Sequence, residues 1–219
     1  MRIIVTPKDP TPAERLPLLP STVVVTSRPL RVLDFDIENR PLSYLGSDFT
    51  TAEVTAIAWA WVDRPDDVTV YLLGETELPI ILAAFCDVYA QADLVTGHYI
   101  RGHDLPMING ALMECRFPSL PDKMTQDTKI HLMRSKGISL SQESLAAMFR
   151  LDSEKVRMNQ SMWRAANRLT PEGLELVRER VVGDVKQHIN LRQELLALGY
   201  LRGPVLWKSG AAKLEAYEP

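Results

Sequence analysis

The stretch RVLDFDIENRP, residues 31–41, places three carboxylates in five positions of a segment that otherwise reads as a buried strand. A strand has period two, so Leu33, Phe35 and Ile37 face one way and Asp34, Asp36 and Glu38 the other. Carboxylates two apart on one strand face sit roughly 7 Å from each other, too close for uncompensated like charge in a partly dry site. Something positive is therefore expected over that face: a metal cation, an Arg or Lys from elsewhere in the chain, or bulk water if the strand is an exposed edge.

Outward from this stretch, strand signals come first. PLRVLDFDI (29–37), VTAIAWAWV (54–62) and VTVYLL (68–73) are separated by turn-rich segments such as VDRPDD (62–67), which predicts an antiparallel three-strand meander. The pattern then turns helical. ELPIILAAFCDVYAQA (77–92) has apolar residues at helix spacing, followed by a short strand LVTGHY (94–99) and a helix over about 103–116. TKIHLM (128–133) reads as a strand, SLSQESLAAMFRL (139–151) carries a Ser cap ahead of an apolar run, and MNQSMWRAANR (158–168) reads as a helix. The last segment opens with Thr170 and Pro171 as cap and first-turn Pro and sustains helical periodicity for about 28 residues. Strands first, then alternating helices and strands, predict a mixed α/β sheet covered by helices.

The 219 residues suit one domain with a sizeable core and a small appendage, and the composition, 46% hydrophobic and 24% charged, is that of an ordinary globular protein. Residues 1–29 read as a Pro-rich N-terminal extension, 30–202 as the domain and 203–219 as a C-terminal tail. Cys86 and Cys115 support neither a disulfide framework nor a metal cluster, and the N-terminus lacks a secretory signal; both point to a cytoplasmic protein with reduced thiols. No apolar run approaches the roughly 20 residues that span a bilayer. Charge is uneven: 3 Lys/Arg against 12 Asp/Glu over 30–97, then 11 against 7 over 98–168. An acidic half that holds metal beside a mildly basic half that meets a polyanion is one reading, and variation among solvated faces the other.

Three acidic stretches line up: DFDIE (34–38), GHYIRGHDLPMI (97–108) with Asp104 at a strand-to-helix junction, and RERVVGDVKQH (178–188) with Asp184 in the final helix. In this order and spacing the sequence resembles the DEDD family of 3′→5′ exonucleases, closest to the proofreading domains of B-family DNA polymerases. Asp36-Ile37-Glu38 matches the Asp-x-Glu motif. Gly97 to Pro106 matches the Gly-His-Asn-x-x-x-Phe-Asp-Leu-Pro segment, with Tyr99 and His103 in place of Asn and Phe. Asp127-Thr128 is similar to a further Asp-Thr stretch. In the third motif, the tyrosine branch has Tyr-x-x-x-Asp and the histidine branch His-x-x-x-x-Asp; counted from Asp184, these positions hold Arg180 and Glu179. The segment otherwise resembles the tyrosine branch, with Arg180 in place of Tyr.

The resemblance implies a ribonuclease H-like fold, a mixed five-stranded sheet flanked by helices, and metal-dependent 3′→5′ hydrolysis of single-stranded DNA or a frayed 3′ end, RNA not being excluded. It implies two Mg²⁺ or Mn²⁺ ions on Asp36, Glu38, Asp104 and Asp184; two cations about 3.5–4 Å apart stabilise both the attacking and the leaving oxygen. Arg180 joins the acids as a catalytic candidate through its phosphate-binding chemistry. A separate polymerase acting in trans is the implied partner in replication or repair. Asp34 and Asp36 form an alternative acidic pair. Tyr99, Arg101, His103 and Arg180 are the substrate-binding candidates; Arg134, Lys136, Lys155, Arg157, Arg164 and Arg168 offer a positive track, and Trp163 a stacking surface. His98 reads as orienting its turn, and His188, one helical turn past Asp184, as a possible approach to the metals. The rival reading is a nuclease-like module with weakened catalysis, retained to bind nucleic acid or a replication partner; Arg180 is the feature that favours it.

Overall fold

A computed structural model describes residues 28–42, 49–151 and 156–210. The expected extension up to residue 27, Lys155 and the end of the expected tail, 211–219, lie outside the described residues. Three antiparallel strands come first: β1 (Val32–Pro41), β2 (Ala52–Trp61) and β3 (Thr69–Leu72), followed by helix α1 (Leu78–Gln91). Then come β4 (Leu94–Gly97), α2 (Asp104–Glu114), β5 (Lys123–Asp127), α3 (Thr128–Leu132), α4 (Gln142–Met148), α5 (Gln160–Asn167), α6 (Pro171–Ala197) and β6 (Val205–Trp207). The sheet order is β3-β2-β1-β4-β5-β6, with β4 parallel to β1 and β5 parallel to β4.

The first five strands make the expected ribonuclease H-like sheet. Two corrections follow. The sheet has six strands, because Val205–Trp207, placed in the tail by sequence, pairs antiparallel with Lys123–Thr125; three residues are too short a run to show a period. TKIHLM is a helical turn, and the strand is the preceding KMTQD. Its alternation of Ile130 and Leu132 imitates a strand, but the Asp127 side chain accepts the Ile130 N–H and starts a helix there.

Both faces of the sheet are covered. On one side Leu33, Phe35 and Ile37 of β1 join Trp59, Phe85, Tyr89, Ile108 and Leu112 in the main core. On the other, β2 presents Ala56, Ala58 and Ala60 to Val177, Val181, Val185 and Ile189 of α6. Small residues on the strand let the long helix lie close, and the valines fix its rotation. That rotation turns residues 180 and 184, four apart, toward the C-terminal end of β1. Gly173 secures the start of α6: a Cβ there would stand 2.3 Å from the Ala165 carbonyl carbon, so only glycine lets α5 cross so tightly.

Candidate metal centre

The acids of β1 part company in their surroundings. Asp34 is fully buried, and its Oδ2 lies 2.5 Å from Nδ1 of His188, which is also buried. Burial pushes the Asp34 carboxyl above its ordinary range, opposed by the charge and hydrogen bond of His188. The other ring nitrogen of His188 meets the Thr128 hydroxyl at 3.0 Å; that hydroxyl lies 2.9 Å from Nδ1 of His98, whose Nε2 donates to the Leu140 carbonyl at 2.8 Å. His188 thus points into the sheet at Asp34, not towards the other acids, and the alternative pairing of Asp34 with Asp36 gives way to a buried Asp34–His188 pair. His98 has the orienting part expected of it, tying β4 to the turn before α4.

Asp36 and Glu38, the next two acids on the same face, reach the end of the strand where its pairing with β2 is interrupted by a bulge after Glu38. There Asp184 arrives from α6, and carboxylate oxygens of Asp36, Glu38 and Asp184 lie within 4.8 Å of one another. They share a cleft of about 240 Å³ with Asp104, His98, Tyr99, His103, Lys129, Gln142 and Arg180. A donor set made only of carboxylate oxygens fits a hard divalent cation, and the trio can hold a metal ion.

Arg180 supplies positive charge from within the chain, one of the options raised by the sequence. Its Nε lies 2.5 Å from Glu38 Oε1 and 3.7 Å from Asp184 Oδ2. Its Nη1 donates to the Val156 carbonyl at 3.2 Å, and the guanidinium sits 5.2 Å from the Trp163 ring centroid. Burial works against its charge, but Glu38, Asp184 and Asp36 outweigh burial and raise its pKa above the ordinary value. Trp163, expected as a platform for bases, backs this arginine.

Asp104 lines the cleft but stands outside the tight trio. β4 pairs with β1 as far as Thr96 and Asp34, and Asp104 opens α2 beyond that point. Asp104 Oδ2 also lies 3.3 Å from His103 Nδ1. Burial pushes the Asp104 carboxyl upward, against the hydrogen bond and charge of His103; that hydrogen bond in turn raises His103. The folded state therefore holds the Asp104 proton more tightly than the unfolded chain. Its contribution to stability is complete below about pH 4 and is lost as pH rises through the folded value. Asp104→Asn removes this titration, so without divalent metal the variant should melt a few degrees (on the order of 1 kcal/mol) above wild type at neutral pH. The gap should close toward about pH 4. Melting curves across this range check it, and a pH-independent offset would count against the assignment.

The turn between β4 and α2 is set by Asp127, whose carboxylate accepts the N–H groups of Tyr99 and Arg101 as well as Ile130. Tyr99 is held with φ at 74° and its ring partly exposed, 4.1 Å from Lys129 Nζ. Its ring lies across Gly102, where a Cβ would meet ring carbons at 2.5 Å. Tyr99, His103 and Arg180, the expected substrate-binding residues, line the cleft. Arg101 is not among the residues that line it, and its charge is felt at His131. Sequence reasoning missed Lys129 and Gln142. Gln142 donates to the Asp184 carbonyl at 2.8 Å and lies 3.4 Å from Asp184 Oδ1, fixing that carboxylate. The signal for it was its place at the first position of a Ser-capped helix; Lys129 was hidden by reading its segment as a strand.

The chain matches no family model and no curated protein. Among solved structures, it is similar in fold to the family B DNA polymerase from the hyperthermophilic archaeon Pyrobaculum calidifontis, with a TM-score of 0.62 and 19% identity. The match covers 79% of this chain and 25% of the polymerase, so the chain corresponds to about a quarter of that protein's length. Among the described residues no helix is long and apolar enough to cross a membrane.

Proposed function

We propose that this chain is a metal-dependent 3′→5′ exonuclease acting on single-stranded DNA or a frayed 3′ end. The observation that carries the reading is the convergence of Asp36, Glu38 and Asp184 within 4.8 Å, in one open cleft with Asp104. Asp36, Glu38 and Asp184 would hold a divalent cation, which would supply Lewis-acid stabilisation of the charge developing at phosphorus. The chain's own residues do the rest. Gln142 holds the Asp184 carboxylate in place, and Arg180 and Lys129 offer donors and positive charge to a phosphate. His103, hydrogen-bonded to Asp104, is placed to pass a proton at the rim of the cleft. The exposed face of Tyr99 gives a terminal base a surface to stack on. A cytoplasmic setting and a polymerase partner in trans complete the proposal.

The second reading, a silenced nuclease-like module, is favoured by the contact of Arg180 with Glu38. One experiment separates them. With Mn²⁺ or Mg²⁺, a 5′-labelled single strand should shorten stepwise from its 3′ end, stop on chelation, and slow with rising salt as phosphate contacts weaken. DNA and RNA strands run side by side give the sugar preference. Cleavage of closed circular single-stranded DNA would replace the exonuclease reading by an endonuclease, and binding without any cleavage would favour the silent module.

A further inference from the structure

We propose that Arg180 is a resident cation of the carboxylate cluster and that the site therefore takes one divalent ion rather than two. The inference rests on the metal-centre reading above and deepens it. Asp36, Glu38 and Asp184 bring three negative charges within 4.8 Å, and the guanidinium of Arg180 enters the same space, on Glu38 at 2.5 Å and near Asp184 at 3.7 Å. Asp104, which the resemblance enlists as the fourth ligand of a two-ion site, lies outside the trio and is engaged by His103.

Arg180 is also held in position by groups other than the acids. The Val156 carbonyl accepts from Nη1, Trp163 lies against the guanidinium, and the side chain is only 20% exposed. Its Cα position is set by the valine face of α6 on the β2 alanines. An arginine fixed in this way stays when an ion arrives, and the ion shares the trio with it. A second dication beside it would meet the guanidinium's like charge at short range in a partly dry cleft, which disfavours it strongly. Arg is suited to the part because it keeps its charge at any working pH and presents several fixed donors. The second cation's task, facing a phosphate oxygen with fixed positive charge, then falls to a side chain.

Counting bound Mn²⁺ on the full chain tests this without reference to activity. Calorimetric titration of wild type should give one ion per chain, and low-temperature electron paramagnetic resonance an uncoupled Mn²⁺ signal. Arg180→Gln, which removes the charge and keeps much of the length, should bind two ions and show the spin-coupled signal of a pair about 3.5–4 Å apart. Arg180→Lys, which keeps the charge, should stay at one; it also guards against a stoichiometry altered by misfolding. Two ions in wild type or in Arg180→Lys, or one in Arg180→Gln, overturn the inference and leave the metal centre standing. Binding by Arg180→Gln alone would make Arg180 a replacement for metal altogether and overturn it as well. No binding by any of the three proteins overturns the metal-centre reading itself.

Discussion

Asp36→Asn and Asp184→Asn should each lower metal-dependent cleavage of a 5′-labelled single strand by about 10³-fold or more, a loss of at least ~4 kcal/mol of transition-state stabilisation. Both carboxylates offer an oxygen to the point where the trio converges. An amide in either place keeps the shape, loses the charge, and turns an N–H₂ toward the cation whenever its oxygen is drawn away by Gln142 or Arg180. Neither variant should be less stable than wild type in the absence of metal, since each removes a like charge from a crowded cluster. Mn²⁺ should raise the melting temperature of wild type by mass action and lose most of that effect in both variants. Equal Mn²⁺ shifts in all three proteins would place the metal elsewhere, whatever the rates showed.

The second large effect is on the fold. His188→Ala should destabilise the protein by about 3–5 kcal/mol, the scale of breaking a buried ion pair from one side. Asp34 is fully buried, its Oδ2 is held by His188, and its Oδ1 has no hydrogen-bond partner among the described residues, so the truncation strands a carboxylate in the interior. Since burial already raises the Asp34 pKa, its contribution to stability is complete below about pH 4 and declines as pH rises through the folded value. The deficit of His188→Ala should accordingly be larger at neutral pH than near about pH 4. Replacing both partners, as in Asp34→Leu with His188→Leu, should recover much of the loss because no charge is left buried. Urea unfolding of the two single variants and the double variant gives the comparison. A single-variant loss under about 1 kcal/mol would mean that water reaches the pair.

Sequence carried the architecture far. Period-two alternation located β1 to β3, and the Ser141 and Thr170 caps, both hydrogen-bonded in the structure, marked the starts of α4 and α6. Three residues of the cluster, Asp36, Glu38 and Asp184, are 148 positions apart at their extremes, and their order was legible only through resemblance to a family. The same alternation did not say which acids meet solvent. Asp34 and Asp36 stand on one face of one strand and both meet α6, but the first meets the buried His188 and the second shares an open cleft with Asp184, a distinction made by where along β1 the cover of the helix gives way to the cleft. Lys129 was missed because a five-residue helix is shorter than the window in which helix and strand periods differ. Arg101 was over-read, since a basic residue in a site motif carries no signal of the side to which its long chain turns.

The buried chain from Asp34 to Leu140 obeys a parity rule. The Leu140 carbonyl only accepts, so His98 Nε2 carries a hydrogen. The Thr128 hydroxyl has one hydrogen and three neighbours able to take it: His98 Nδ1, His188 Nε2 and the Gly97 carbonyl. If it goes to His98, His188 must donate from Nε2, and a hydrogen is still needed between Nδ1 and Asp34. If it goes to His188, His98 must carry hydrogens on both ring nitrogens. If it goes to Gly97, both rings must donate to the hydroxyl. Every arrangement that satisfies all these contacts holds at least one proton more than two neutral imidazoles and a carboxylate, so the chain bonded in this way carries no net negative charge. Of the three acids that alternate along DFDIE, the first is balanced from beneath the sheet, and only Asp36 and Glu38 project their charge into the cleft.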